Sequence, residues 1–92
     1  MTAFKKGWLH RGRIYSDEGF SVGILDKTSL LYREGGKKMT VGGELLMRGF
    51  VVYRASIGPW NDGEPIDDTK KHQIISNITR ALESQGIFVD LD

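Results

Sequence analysis

Ninety-two residues with 39% hydrophobic content make a single domain, residues 1–92, with one core and no room for a large internal cavity. A formal charge of +1, from 13 basic and 12 acidic side chains, argues against a dedicated nucleic-acid binder. The lack of cysteine removes disulfides and cysteine-ligated zinc, and fits a reducing compartment. Met1 to Arg13 carries bases but no apolar run of signal-peptide length, and no stretch reaches the ~20 apolar residues of a membrane span; the expected location is the cytoplasm.

Taken in order, Trp8, His10, Gly12 and Ile14 alternate with Leu9, Arg11, Arg13 and Tyr15, a strand with one basic face. Ser16 to Gly19 is a turn cluster, and Phe20, Val22 and Ile24 alternate with Ser21 and Gly23 to complete a hairpin. Asp26-Lys27 breaks the chain before a strand over Ser29 to Glu34. Gly35-Gly36 then suits a tight primed turn, because both central positions accept a positive φ, and Lys37 to Val41 returns. Gly42-Gly43-Glu44 reads as the end of that strand. Phe50 to Arg54 is the most β-like run and lacks clean alternation, as expected of a central strand.

Ile57 to Asp68 is a Gly/Pro-rich, acidic leader into the only long helical pattern. Ile74, Ile75, Ile78, Ala81 and Leu82 share one stripe of a 3.6-residue helix. Asp67 is an N-cap by type, Asp68 sits at the positive end of the dipole, and Gly86 fits the left-handed C′ position with Ile87 at C″. These signals predict a helix over 68–85. Burying Ile74, Ile75, Ile78 and Leu82 is worth up to ~10 kcal/mol gross, as much as the net stability of a domain. Ile87, Val89 and Leu91 then alternate as a last strand that runs back antiparallel to the helix. The expected fold is α+β: an antiparallel sheet of about five or six strands covered on one face by a single long helix near the C-terminus. The other sheet face is left for a partner or a second copy of the chain.

The charge is uneven. Residues 1–46 hold eight bases and five acids (+3), and residues 47–92 hold five and seven (−2). Asp62, Glu64, Asp67 and Asp68 form a run with no base between them, either a solvated helix start or a patch for a basic partner. Trp60 in the same loop reads two ways, as packing over the core edge or as an interface anchor. His72 lies roughly 115° from the centre of the apolar stripe and points outward. Glu44 is a buried or turn-capping carboxylate, or else a partner contact. A catalytic pairing of Glu44 with Asp62 rests on residue type alone. His10 and His72 have no metal spacing, and Gly42-Gly43 opens no helix and lacks the Lys-Ser/Thr of a phosphate loop. No catalytic residue, metal ligand or cofactor site is identified. Lys5, Lys6, His10, Arg11 and Arg13, with Trp8 and Tyr15, form a basic patch that is either a solvated strand or a nucleic-acid contact.

Tyr32-Arg33-Glu34-Gly35-Gly36, Gly43-Glu44-Leu45-Leu46, Phe50-Val51-Val52-Tyr53, Ser56-Ile57, Trp60-Asn61-Asp62-Gly63, Pro65-Ile66 and Ile78-Thr79-Arg80-Ala81-Leu82 form an ordered set. Over Tyr32 to Leu91 it resembles the small α+β immunity proteins of bacterial polymorphic-toxin systems, including contact-dependent growth inhibition. The resemblance implies a non-enzymatic antitoxin that binds the C-terminal domain of a cognate toxin, often a nuclease, one to one and by steric occlusion. Trp60, Asp62, Glu64, Asp67, Asp68 and His72 are the candidate toxin contacts, and Glu44, Gly63, Ile74 and Ile78 the structural residues. The alternative is a generic protein-interaction or small nucleic-acid-binding module. The slight positive charge departs from a simply acidic inhibitor.

Overall fold

A computed structural model describes residues 13–92 and the backbone of residues 4–6. The strands are β1 (Phe4–Lys6), β2 (Arg13–Ser16), β3 (Phe20–Asp26), β4 (Ser29–Glu34), β5 (Lys37–Leu45), β6 (Gly49–Val52) and β7 (Phe88–Leu91). A 3₁₀ turn, Arg54–Ser56, and one helix, α1 (Asp68–Ser84), separate β6 from β7. The strands lie in one sheet in sequence order. The class is the α+β layer expected, with two differences. The sheet has seven strands, and β7 pairs parallel to β6 while every other pair is antiparallel. The parallel pair follows from the connection, since β7 reaches β6 only by way of α1, and a helical crossover returns the chain in its starting direction. The Trp8–Gly12 part of the first expected strand lies outside the described residues, as does His10.

Alternation places one face of the sheet under the helix. Ile14, Val22, Leu30, Tyr32, Met39, Val41, Phe50 and Val52 are all buried there, and the register lines them up across the strands, Ile14 with Val22, Val22 with Tyr32, Tyr32 with Met39 and Leu30 with Val41. From α1, Ile74, Ile78, Ala81 and Leu82 are fully buried against them. Ile75, at the margin of the stripe, is partly buried.

The helix ends obey the sequence. The Asp67 carboxylate accepts from the Lys70 N–H at 2.7 Å. At the other end Gly86 has φ +77, the Gly86 N–H donates to the Glu83 carbonyl at 3.0 Å and the Ile87 N–H to the Leu82 carbonyl at 3.1 Å. Those two bonds make a Schellman stop.

Gly35 and Gly36 both have positive φ, +57 and +80, and join Glu34 to Lys37 in a two-residue hairpin. Gly42-Gly43-Glu44, expected to break β5, continues it instead. A Cβ on Gly43 would lie 2.1 Å from the Val51 carbonyl oxygen and 2.3 Å from the Phe50 ring. Glycine is there because β6 crosses too closely for any side chain.

β6 covers only the Gly43–Leu45 end of β5. The rest of that edge is closed by the loop that follows. The Asn61 N–H donates to the Lys38 carbonyl at 2.8 Å, the Thr40 N–H donates to Asn61 Oδ1 at 3.1 Å, and the Gly42 N–H donates to Ser56 Oγ at 2.8 Å. Asn61 and Ser56 thus replace the missing strand and satisfy edge groups that water or another chain would otherwise take.

Candidate functional site

The loop from Ile57 to Asp67 is built from beneath. Trp60 is 7% exposed. Its ring stacks on Tyr32 with centroids 6.2 Å apart, and Tyr32 stacks in turn on Phe20 at 5.8 Å. The Trp60 N–H donates to the Glu64 carbonyl, and the Gly63 N–H returns to the Trp60 carbonyl. Asp62 Oδ1 accepts from the Glu64 N–H at 2.9 Å. A buried ring and a closed turn therefore hold Asp62 and Glu64 outward in a set geometry.

Both acids converge on one base. Lys37 Nζ lies 2.7 Å from Asp62 and 2.5 Å from Glu64. The two carboxylates raise the Lys37 pKa, and the Lys37 ammonium, helped by the Glu64 N–H, lowers that of Asp62. Composition along the chain hides this neutralisation, because Lys37 is 25 positions from Asp62.

The structure thus divides the six candidate contacts. Trp60 is core. Asp62 and Glu64 are exposed and clamped by Lys37. Asp67 is spent on the helix cap. Asp68 and His72, one turn apart and exposed, flank a hollow of about 440 Å³ completed by Arg54, Lys71, Ile75 and Leu91. Of the four structural residues, Ile74 and Ile78 are core and Gly63 turns the loop at φ +91. Glu44 is exposed on β5 opposite Val51, neither buried nor capping a turn. Among the described residues no group of three His, Asp or Glu side chains is arranged to hold a metal ion, and no helix is long and apolar enough to cross a membrane.

A polar chain that periodicity did not reveal crosses the core beside this loop. Tyr32 Oη donates to Glu34, and Glu34 is ion-paired to Lys70. Asn77 Nδ2 donates to Tyr32 Oη at 2.8 Å, and Arg80 Nη2 donates to Asn77 Oδ1 at 2.6 Å. Arg80 also meets Glu18 at 3.4 Å. Burial, then the bond to Glu34, raises the Tyr32 pKa far above its ordinary value and keeps the phenol neutral. Burial pushes Glu34 up, but the bonds from Lys70 and Tyr32 outweigh it and the net shift is downward. The signal in the sequence was Asn77 itself, a polar residue three after Ile74 and one before Ile78.

A family model described as immunity protein 74 matches residues 24–92, from the middle of β3 onward. The chain belongs to the immunity protein 74 family. The match contains the whole stretch on which the resemblance rested, and with it the loop, its Lys37 clamp and α1. In this member of the immunity protein 74 family, β1 and β2 precede the matched region yet extend the same sheet. Comparison with curated proteins and with solved structures gave no match.

Proposed function

We propose that the protein is an antitoxin. It binds the C-terminal toxic domain of a cognate polymorphic or contact-dependent inhibition toxin in the cytoplasm, one to one. It turns nothing over, and neutralises by covering the surface the toxin needs for its substrate. Family membership over residues 24–92 is the observation that carries this reading.

The geometry supports a contact along the loop and the start of α1. Asp62, Glu64 and Asp68 are exposed there with His72 one turn further on, while Trp60 from below and Asp67 at the cap hold the backbone in place. Preset carboxylates lose little side-chain freedom on binding, and suit the basic cleft of a nuclease-type toxin. An interface of standard size, roughly 1,200–2,000 Å² in total, is expected.

The test is co-expression with the toxin domain encoded beside the gene, followed by binding kinetics. Wild-type protein should restore growth. Replacing Asp62, Glu64 and Asp68 together with Lys should slow association about tenfold at low salt, with thermal unfolding measured alongside because Lys37 loses its partners. Unprotected cells would end the antitoxin reading. Unchanged rate constants in the triple variant would end the assignment of the acidic edge.

A further inference from the structure

The ion pairs of the described residues join Glu18 to Arg80, Glu34 to Lys70, and Lys37 to Asp62 and Glu64. They lie on the helix side of the sheet or at the tip of the β4–β5 hairpin. The opposite face is different. The register sets Tyr15, Ser21, Arg33 and Lys38 in one row across β2 to β5, and Arg13, Gly23, Leu31 and Thr40 in the next. Arg33 and Lys38 are exposed directly across from each other, and neither side chain has an acidic partner among the described residues. Like charges opposite one another weaken strand pairing. Arg13 lies over the Tyr15 ring, 5.8 Å from its centroid. A hollow of about 600 Å³ at the hairpin end of the sheet is lined by Tyr15, Ser21, Arg33 and Lys38 of this face together with Glu34 and Lys37. Leu31 is half-buried in the middle of the face. Arginine and tyrosine around a small apolar centre is the composition of an interface.

This face is continuous with the acidic loop, since the Lys38 carbonyl accepts from the Asn61 N–H. Resting on the antitoxin reading above, we infer that the toxin contact passes over the β4–β5 hairpin onto the β4–β5 part of the opposite sheet face, where the exposed Arg33 and Lys38 receive an acidic patch of the toxin. The partner surface is therefore two-signed, basic against Asp62 and Glu64 and acidic against Arg33 and Lys38. A folded protein presents that pattern. A nucleic acid does not, because a uniform polyanion drawn to Arg33 and Lys38 would meet the net negative charge that Asp62 and Glu64 keep after sharing Lys37. The two-signed surface also accounts for an inhibitor whose net charge is +1.

The experiment compares the full chain with its Arg33→Glu/Lys38→Glu double variant, after circular dichroism has shown both folded. Each is titrated against the toxin domain encoded beside the gene, and separately against a single-stranded RNA of about 30 nucleotides. The expected result is association with the toxin slowed about tenfold or more at low salt, converging with wild type at high salt. Arg33→Gln/Lys38→Gln, which relieves the like-charge pair and should fold at least as well, is expected to show a smaller loss in the same direction. Hydrogen exchange of the wild-type complex should show protection at residues 31–33 and 38–40. Toxin binding unchanged within twofold in both variants overturns the inference and leaves the antitoxin reading intact. Wild-type protein that does not bind the toxin overturns both. RNA binding tighter than toxin binding, lost in the double variants, overturns it in favour of a nucleic-acid face.

Discussion

Tyr32 holds the centre of the molecule twice over, its ring between Phe20 and Trp60 and its hydroxyl between Asn77 and Glu34. Tyr32→Phe keeps the stack and removes the hydroxyl, leaving the buried Asn77 amide short of a partner. It should cost about 1–3 kcal/mol in urea denaturation. Glu34 gives a pH signature. Its folded-state pKa lies below the ordinary 4.5, so the unfolded chain takes up the proton first as pH falls. The stability it contributes is complete above 4.5 and is lost as pH drops through the lowered folded-state value. Glu34→Gln should flatten the dependence of the urea midpoint on pH in that acid window, and an unaltered slope would place the linkage elsewhere. None of this chain was legible in the sequence beyond the single polar residue beside Ile78. A hydrogen bond spanning 45 positions, from Asn77 to Tyr32, leaves no local mark.

At the scale of the element, the helix was almost fully legible and the β5–β6 pair was not. Cap, stripe and stop are local signals, and they place α1 to within one residue of its observed end. Gly42-Gly43 reads locally as a break because glycine is poor in strands. What decides it is the Val51 carbonyl 2.1 Å from where a Cβ would stand, and that approach is non-local. Gly43→Ala should therefore cost more than the ordinary overpacking penalty of about 1–3 kcal/mol, with hydrogen exchange accelerated first across residues 43–52. Ile78→Asp would bury an unpaired carboxylate at the helix–sheet seam. Loss of the cooperative thermal transition is the expected result, and a folded Ile78→Asp chain would contradict the packing described.

For the whole molecule, the two layers and the single helix followed from periodicity. The direction of β7 did not, because alternation carries no sign. The candidate surface was legible by residue type but not by state. The acid run reads as the Asp67 cap beside three outward carboxylates, whereas the fold gives two of those three, Asp62 and Glu64, to Lys37. What remains is a body with a closed β5 edge and an acidic margin that turns a corner onto a basic face. Opposite charges on adjoining faces orient a partner before contact. Association of wild-type protein with the toxin should therefore fall steeply between low and physiological salt, while dissociation changes little.

The parallel pairing of β7 also bears on the order of assembly. β2 to β6 zip through short turns between neighbours in the chain, but Gly49 meets Phe88 39 positions later (88 − 49). Closing so long a span costs entropy that only a docked α1 can offset. The rate-limiting barrier is thus expected to be crossed with the meander formed and β7 still loose. Substitutions in β7, such as Val89→Ala, should then hasten unfolding and leave the refolding rate nearly untouched.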